Sequence, residues 1–265
     1  MKNKIIKNNK TFNSIGAFSN NHILYNDDCN NVMDEMISKN IKVDLIITDP
    51  PYDIKNTKTG GESYLNKSFQ KSQDELTKFN LTKGFDYETI LNKMVKLQDK
   101  INMYIWCNKS QIPFYLDYFV IKMGCNFDII KWVKTNPMPT YHNKYMTDTE
   151  YCIYVRKGGY CNPENYQDGS TLFQAPINTK DKKLYKHPTI KPENIIDRLV
   201  RNSSKENETI FDPFMGSGTT GVSALKHNRK FIGVELLKEF YNISKNRIVN
   251  SNNLDYKSLD TKLVS

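Results

Sequence analysis

Short apolar runs recur along the chain at intervals that suit buried strands: His22–Asn26, Val43–Asp49, Asn102–Cys107, Phe127–Val133, Glu150–Val155, Thr209–Asp212 and Lys230–Glu235. Continuous runs rich in Val, Ile, Tyr and Phe are the mark of strands covered on both faces. Between several of them the period lengthens. Asn30–Lys39 puts Val32, Met33, Met36 and Ile37 on one side of an amphipathic helix. Pro192–Ser203 opens with proline in the first turn and gathers Ile195, Ile196, Leu199 and Val200. Thr219–His227 and Leu236–Val249 read the same way. Strands alternating with helices predict an α/β fold with a doubly wound, mostly parallel sheet.

Some segments break this rhythm. Residues 1–21 are polar, Asn-rich and basic and read as an arm, and residues 250–265 read as a tail. The domain itself is expected over residues 22–249. Within it, residues 53–86 show no sustained period and are too long for an ordinary connection, which marks a functional loop. Residues 134–186 mix a proline-rich turn, one strand-like run and a second irregular section, and form another inserted segment.

Composition narrows the classes. A length of 265 residues suits one domain with a substantial core. The net charge of +9 permits a polyanionic partner without identifying one. Cys29, Cys107, Cys125, Cys152 and Cys161 are scattered, with no C-x-x-C pair and no histidine spacing suited to zinc. No metal is expected, and the thiols read as reduced groups in a cytoplasmic protein. The first residues lack the apolar run of a signal peptide, and no stretch is long enough to span a membrane, so no membrane contact is expected.

Two motifs carry candidate chemistry. The first is a buried strand delivering Asp49, Pro50, Pro51 and Tyr52 at its carboxyl end, the end where open α/β sheets bind ligands. Two prolines remove two amide donors, and an ionised Asp offers acceptors only. This rigid group of acceptors beside an aromatic face suits the exocyclic amine of adenine or cytosine. Bonding both amino hydrogens favours attack by the nitrogen lone pair and stabilises the positive charge that develops there. The Tyr52 ring can stack on a base turned out of a duplex. Read alone, the tetrapeptide also fits an ordinary strand-to-loop turn.

The second motif runs from Thr209 through Asp212, Pro213, Phe214, Met215, Gly216, Ser217 and Gly218 to Thr219: a strand, a tight glycine turn and a helix start. The next strand ends in Glu235, 23 residues after Asp212, which suits the two hydroxyls of a ribose. The phosphate-loop pattern G-x-x-x-x-G-K-[ST] is missing, and so is the full G-x-G-x-x-G fingerprint. Asp212 would repel a pyrophosphate and attract an ammonium, so a nucleoside bearing an amino-acid tail fits better than NAD.

Together these motifs resemble the amino-methyltransferases of DNA, which pair a D-P-P-Y tetrapeptide with an F-x-G-x-G turn. The order here, catalytic motif first, resembles the beta class, a circular permutation of the S-adenosylmethionine-dependent methyltransferase sheet. The resemblance covers roughly residues 22–249. It implies that Asp49, Pro50, Pro51 and Tyr52 engage the target base and that S-adenosylmethionine is the cofactor. The turn from Asp212 through Pro213, Phe214, Gly216, Ser217 and Gly218 to Thr219 then holds the methionine end, and Glu235 the ribose. Asp28, beside Cys29, resembles the acid that meets the cofactor's adenine amine. His187-Pro188-Thr189-Ile190-Lys191-Pro192 resembles the family's H-P-T-x-K-P element, which places Lys191 by the cofactor.

The implied substrate is adenine N6 in double-stranded DNA. Cytosine N4 is the rival, although Asp49 leans toward adenine, and a catalytically silent DNA-binding protein of the same fold is a further alternative. A cognate restriction endonuclease and a homodimer are partners the class implies. Residues 131–191 hold ten Lys and Arg against five Asp and Glu, interleaved with tyrosines. That composition fits a DNA face, with Trp132, Lys180, Lys182 and Lys183 as candidate contacts.

Overall fold

In the computed structural model, which describes residues 16–52, 74, 86–139, 145–185 and 187–253, the apolar runs become strands of a nine-stranded sheet. In chain order they are β1 (Gly16–Phe18), β2 (His22–Asn26), β3 (Leu45–Thr48), β4 (Ile101–Cys107), β5 (Asn126–Lys134), β6 (Thr149–Lys157), β7 (Leu172–Ala175), β8 (Thr209–Asp212) and β9 (Lys230–Glu235). Across the sheet the order is β1-β2-β9-β8-β3-β4-β6-β5-β7. Strands β2, β9, β8, β3 and β4 run parallel, and β7 is parallel to β5. Strand β6 is antiparallel to both neighbours, and β1 to β2. The sheet is mostly parallel, and its last two strands lie between β2 and β3, as a permuted fold requires.

Helices cover both faces. Among the described residues they include α1 (Cys29–Ser38), α2 (Tyr87–Lys96), α3 (Ile112–Leu116, continued as a π-helix over Asp117–Lys122), α4 (Thr179–Tyr185), α5 (Glu193–Ser203), α6 (Thr219–Lys226) and α7 (Lys238–Asn253). Val32 and Met36 of α1, Ile90 and Met94 of α2, and Tyr115 and Phe119 pack on Ile46, Met103, Ile105 and Phe211. Leu199 of α5, Val222 of α6 and Ile248 of α7 pack on the opposite face, against Leu45, Ile47, Tyr104 and Ile210. Consecutive strand residues such as Leu45, Ile46 and Ile47 therefore serve alternate layers. That demand explains their unbroken apolarity.

The structure differs from the sequence reading at several places. Residues 16–18, read as part of the arm, pair with β2, so the folded domain begins earlier. Helix α7 runs on to Asn253, into the expected tail. The segment 134–186, read as largely irregular, holds β7 and α4. The rest of the arm, residues 254–265 and nearly all of the 53–86 loop lie outside the described residues. Among the described residues, no helix is long and apolar enough to cross a membrane.

Candidate active site

The carboxyl ends of β2, β3, β8 and β9 lie side by side, and each delivers an acid: Asp28, Asp49, Asp212 and Glu235. Two cavities open there. The larger, about 290 Å³, is lined by Asp28, Cys29, Thr48, Asp49, His187, Lys191, Asp212, Pro213, Phe214, Gly216, Ser217, Thr219, Glu235 and Phe240, among others. The second, about 240 Å³, is lined by Asp49, Pro50, Pro51, Tyr52, Trp132, Lys134, Glu150, Lys182 and Lys191, among others. Asp49, Pro51, Thr189 and Lys191 belong to both and form the wall between them.

The larger cavity is built around the glycine turn. Gly216 adopts φ +53°, a left-handed backbone that favours glycine, and a Cβ there would come 3.1 Å from His187 Nε2. Its N–H donates to Glu235 Oε2 at 2.9 Å, while the Leu237 N–H donates to Oε1 at 2.8 Å. The Leu236 N–H is a third backbone donor to the carboxylate, which has about four acceptor sites and so keeps room for a hydroxyl. Arg247 of α7 donates to the Ser217 carbonyl at 2.8 Å, fixing the turn from behind, and its guanidinium stacks on Tyr185 of α4 at 4.1 Å. Asp28, also in the lining, caps α1 by accepting from the Asn30 N–H at 2.7 Å. Cys29 is a buried thiol, pushed up to about 12 by burial and then by the Asp28 charge. It is no nucleophile at neutral pH.

Deeper in, Asp212 accepts from the Thr48 hydroxyl at 2.9 Å and the Phe214 N–H at 3.1 Å. Burial nevertheless pushes its carboxyl up to about 7. His187 is held neutral, lowered to about 3 by burial and then by Lys191. A lining that combines the acceptors Asp28 and Glu235, apolar side chains such as Ile47, Ile90, Phe214 and Phe240, and the buried acid Asp212 fits a nucleoside with a cationic amino-acid tail.

The second cavity is walled by a chain of charges. Asp49 Oδ1 accepts from the Tyr52 hydroxyl at 2.8 Å, and Oδ2 from Lys191 Nζ at 2.5 Å. Lys191 Nζ also meets Glu150 Oε2 at 3.1 Å, and Lys134 Nζ meets Glu150 Oε1 at 2.8 Å. Burial raises Asp49, and Lys191 opposes that rise. Burial alone would lower Lys191, but Asp49 and Glu150 outweigh it and hold the ammonium above the usual lysine range. Burial would likewise raise Glu150, yet Lys191 and Lys134 bring it down to about 2.

Most residues singled out from the sequence converge here, with two differences. Lys191, expected by the cofactor, lines both cavities, and its ammonium pairs with Asp49 and Glu150. Gly218 is not in the lining of either cavity: a Cβ there would lie 2.9 Å from Ser244 Cβ, so this glycine lets α7 approach. Trp132, a candidate DNA contact, is 3% exposed and donates from Nε1 to the Ala175 carbonyl at 3.0 Å, although it is in the lining of the second cavity. Lys180 and Lys183 are exposed on α4, while Lys182 reaches the second cavity. The sequence reading missed Glu150, Lys134, Thr48 and Arg247. A lone acid opening the apolar run of β6 was the only signal for Glu150.

The geometry has counterparts among known proteins. A model of the DNA methylase family of N6/N4 methyltransferases matches residues 43–246. The chain is 35% identical over 226 residues to the Type II methyltransferase M2.LlaDCHI of Lactococcus lactis subsp. cremoris, covering 78% of this chain and 82% of that protein. It is 32% identical, with the same coverage, to the Type II methyltransferase M2.DpnII of Streptococcus pneumoniae. Among solved structures, M1.HpyAVI in complex with S-adenosylmethionine superposes with a TM-score of 0.62 and 27% identity, over 86% of this chain and 99% of that one. The Asp49–Tyr52 tetrapeptide at the end of β3, the glycine turn after β8 and a family match spanning both lead to one conclusion: the chain belongs to the DNA methylase family.

Proposed function

We propose that the protein transfers a methyl group from S-adenosylmethionine to N6 of adenine in double-stranded DNA, in the cytoplasm and alongside a cognate restriction endonuclease. The observation that carries the reading is the position of Asp49 in the wall shared by the two cavities. One cavity fits the cofactor and the other an extruded base, so the acceptor stands where the two must meet. The Type II names of the relatives support a restriction partner.

In this reading Glu235 binds the ribose hydroxyls, Asp28 the adenine amine, and Asp212 with the Phe214–Ser217 turn the methionine end. The cofactor supplies an electrophilic methyl group on a sulfonium. The protein's own task is to orient the nucleophile. A paired base cannot present its amine, so the adenine leaves the stack and rests against Tyr52. Asp49 and the Pro50 carbonyl then take the two amino hydrogens, leaving the nitrogen lone pair facing the larger cavity. Asp49 is a charge-assisted acceptor at the point where positive charge develops.

Asp49→Ala is expected to cut single-turnover methylation by at least about a hundredfold while cofactor and DNA still bind. Mass spectrometry of nucleosides from treated DNA should show N6-methyladenine. N4-methylcytosine would overturn the base assignment, and near-normal turnover by Asp49→Ala the mechanism.

A further inference from the structure

The alternation of charge behind the target-base cavity is more than Asp49 alone requires. From Asp49 the series runs through Lys191 and Glu150 to Lys134, each in contact with the next. Two carboxylates and two ammoniums alternate, and the central Lys191 is 7% exposed. Burying such a series is costly unless each charge meets its partner. A lysine here also poses a problem for the reaction, because its charge lies beside a nitrogen that becomes cationic.

We propose that Lys191 and Glu150 act as a positioning pair for Asp49: Lys191 orients the Asp49 carboxylate and keeps it ionised, while Glu150 anchors Lys191 and offsets its charge. The inference rests on the reading of Asp49 as the acceptor of the amino group. Asp49 has about four lone-pair sites. Tyr52 and Lys191 occupy one on each oxygen, which fixes the plane of the carboxylate and leaves one site per oxygen toward the cavities. Without Lys191 a buried carboxyl would take up a proton and become a donor where an acceptor is needed. Without Glu150 the ammonium would bear wholly on Asp49 and on the developing positive charge.

Other titratable groups around Asp49 do not substitute for the pair. Tyr52 and Cys152 are raised well above their ordinary values by burial, and Cys107 is pushed up to about 12 by burial, so all three stay neutral. Asp212, on β8, titrates near 7 and adds negative charge above it.

The test is single-turnover methylation as a function of pH, at saturating cofactor and DNA so that titrations affecting binding drop out. In Lys191→Met the acid limb should move to higher pH by at least about one unit, with a lower plateau, and Lys191→Arg should restore the limb toward wild type. In Glu150→Gln the limb should move the opposite way, to lower pH, and the plateau should fall about tenfold. Cofactor affinity by calorimetry should stay within about twofold of wild type in Glu150→Gln, because Glu150 does not line the larger cavity, and base extrusion by 2-aminopurine fluorescence at the target position should still occur in both variants. Limbs that stay put, or move the same way in both variants, would overturn the pairing. So would a loss explained entirely by failed extrusion or cofactor binding. Should Lys191→Met not fold, Lys191→Arg and Glu150→Gln carry the comparison. A wild-type protein without methyl transfer would instead remove the functional reading itself.

Discussion

Three donors surround the Asp212 carboxylate, from Thr48, Phe214 and Thr220, and none of them carries a charge. With its carboxyl pushed up to about 7 by burial, the residue shares a proton at neutral pH until a cation arrives. An ammonium in the cavity draws that proton off, so cofactor binding below pH 7 should release it. Affinity for S-adenosylmethionine is expected to weaken by up to about tenfold per pH unit below 7. Calorimetric titration over about pH 5.5–8 checks this, and Asp212→Asn should flatten the dependence. An equally steep dependence in that variant would take Asp212 out of the site. For folding of the free protein the sign is opposite. A carboxyl raised above its ordinary 3.8 contributes stability that is fully present below 3.8 and lost as pH rises through 7. Ligand and fold thus make contrary demands on one proton.

Helix α4 is the element that joins the second cavity to the glycine turn. It has no buried residues, yet Lys182 lines the second cavity and Tyr185 stacks on the arginine that fixes the glycine turn. Reversing Lys180, Lys182 and Lys183 to Glu is expected to flatten the log–log salt dependence of DNA binding by up to about three, with cofactor affinity preserved. An unchanged slope in a binding titration would move the DNA face elsewhere. The sequence hid this helix because its place in the fold, with no apolar face, holds it. Strand β7, at the edge of the sheet with only Phe173 and Ala175 buried, was hidden because it needs no unbroken apolar run. Strands β2, β8 and β9, in contrast, were legible to the residue, because covering both faces forces unbroken apolarity. Asp49, Asp212 and Glu235 were legible for the same reason, each standing at the end of such a run. Glu150 and Lys134 were not, since their meeting depends on register. Trp132 faces Glu150 across β5 and β6, which makes Lys134 a diagonal neighbour of that acid. No pattern within either strand contains that fact.

At the scale of the molecule, the order of strands in space departs most from their order in the chain. Strands β8 and β9 fill a slot between β2 and β3, and α7 then brings Arg247 against the glycine turn. Chains are synthesised from the amino end, so β2 and β3 exist well before the pair that joins them. Until then each has an open edge of unpaired backbone, and contacts so distant in sequence form slowly. Nascent chains stalled with residue 207 clear of the ribosome are expected to be cut readily by protease. Chains extended past Asn253 should resist, and pulse proteolysis of the two lengths would show it. Equal resistance would mean that the earlier part folds alone. The ribosome thus delivers Asp49 and its charged neighbours first and the glycine turn with Glu235 last, and a half-made methyltransferase lacks one wall of its larger cavity.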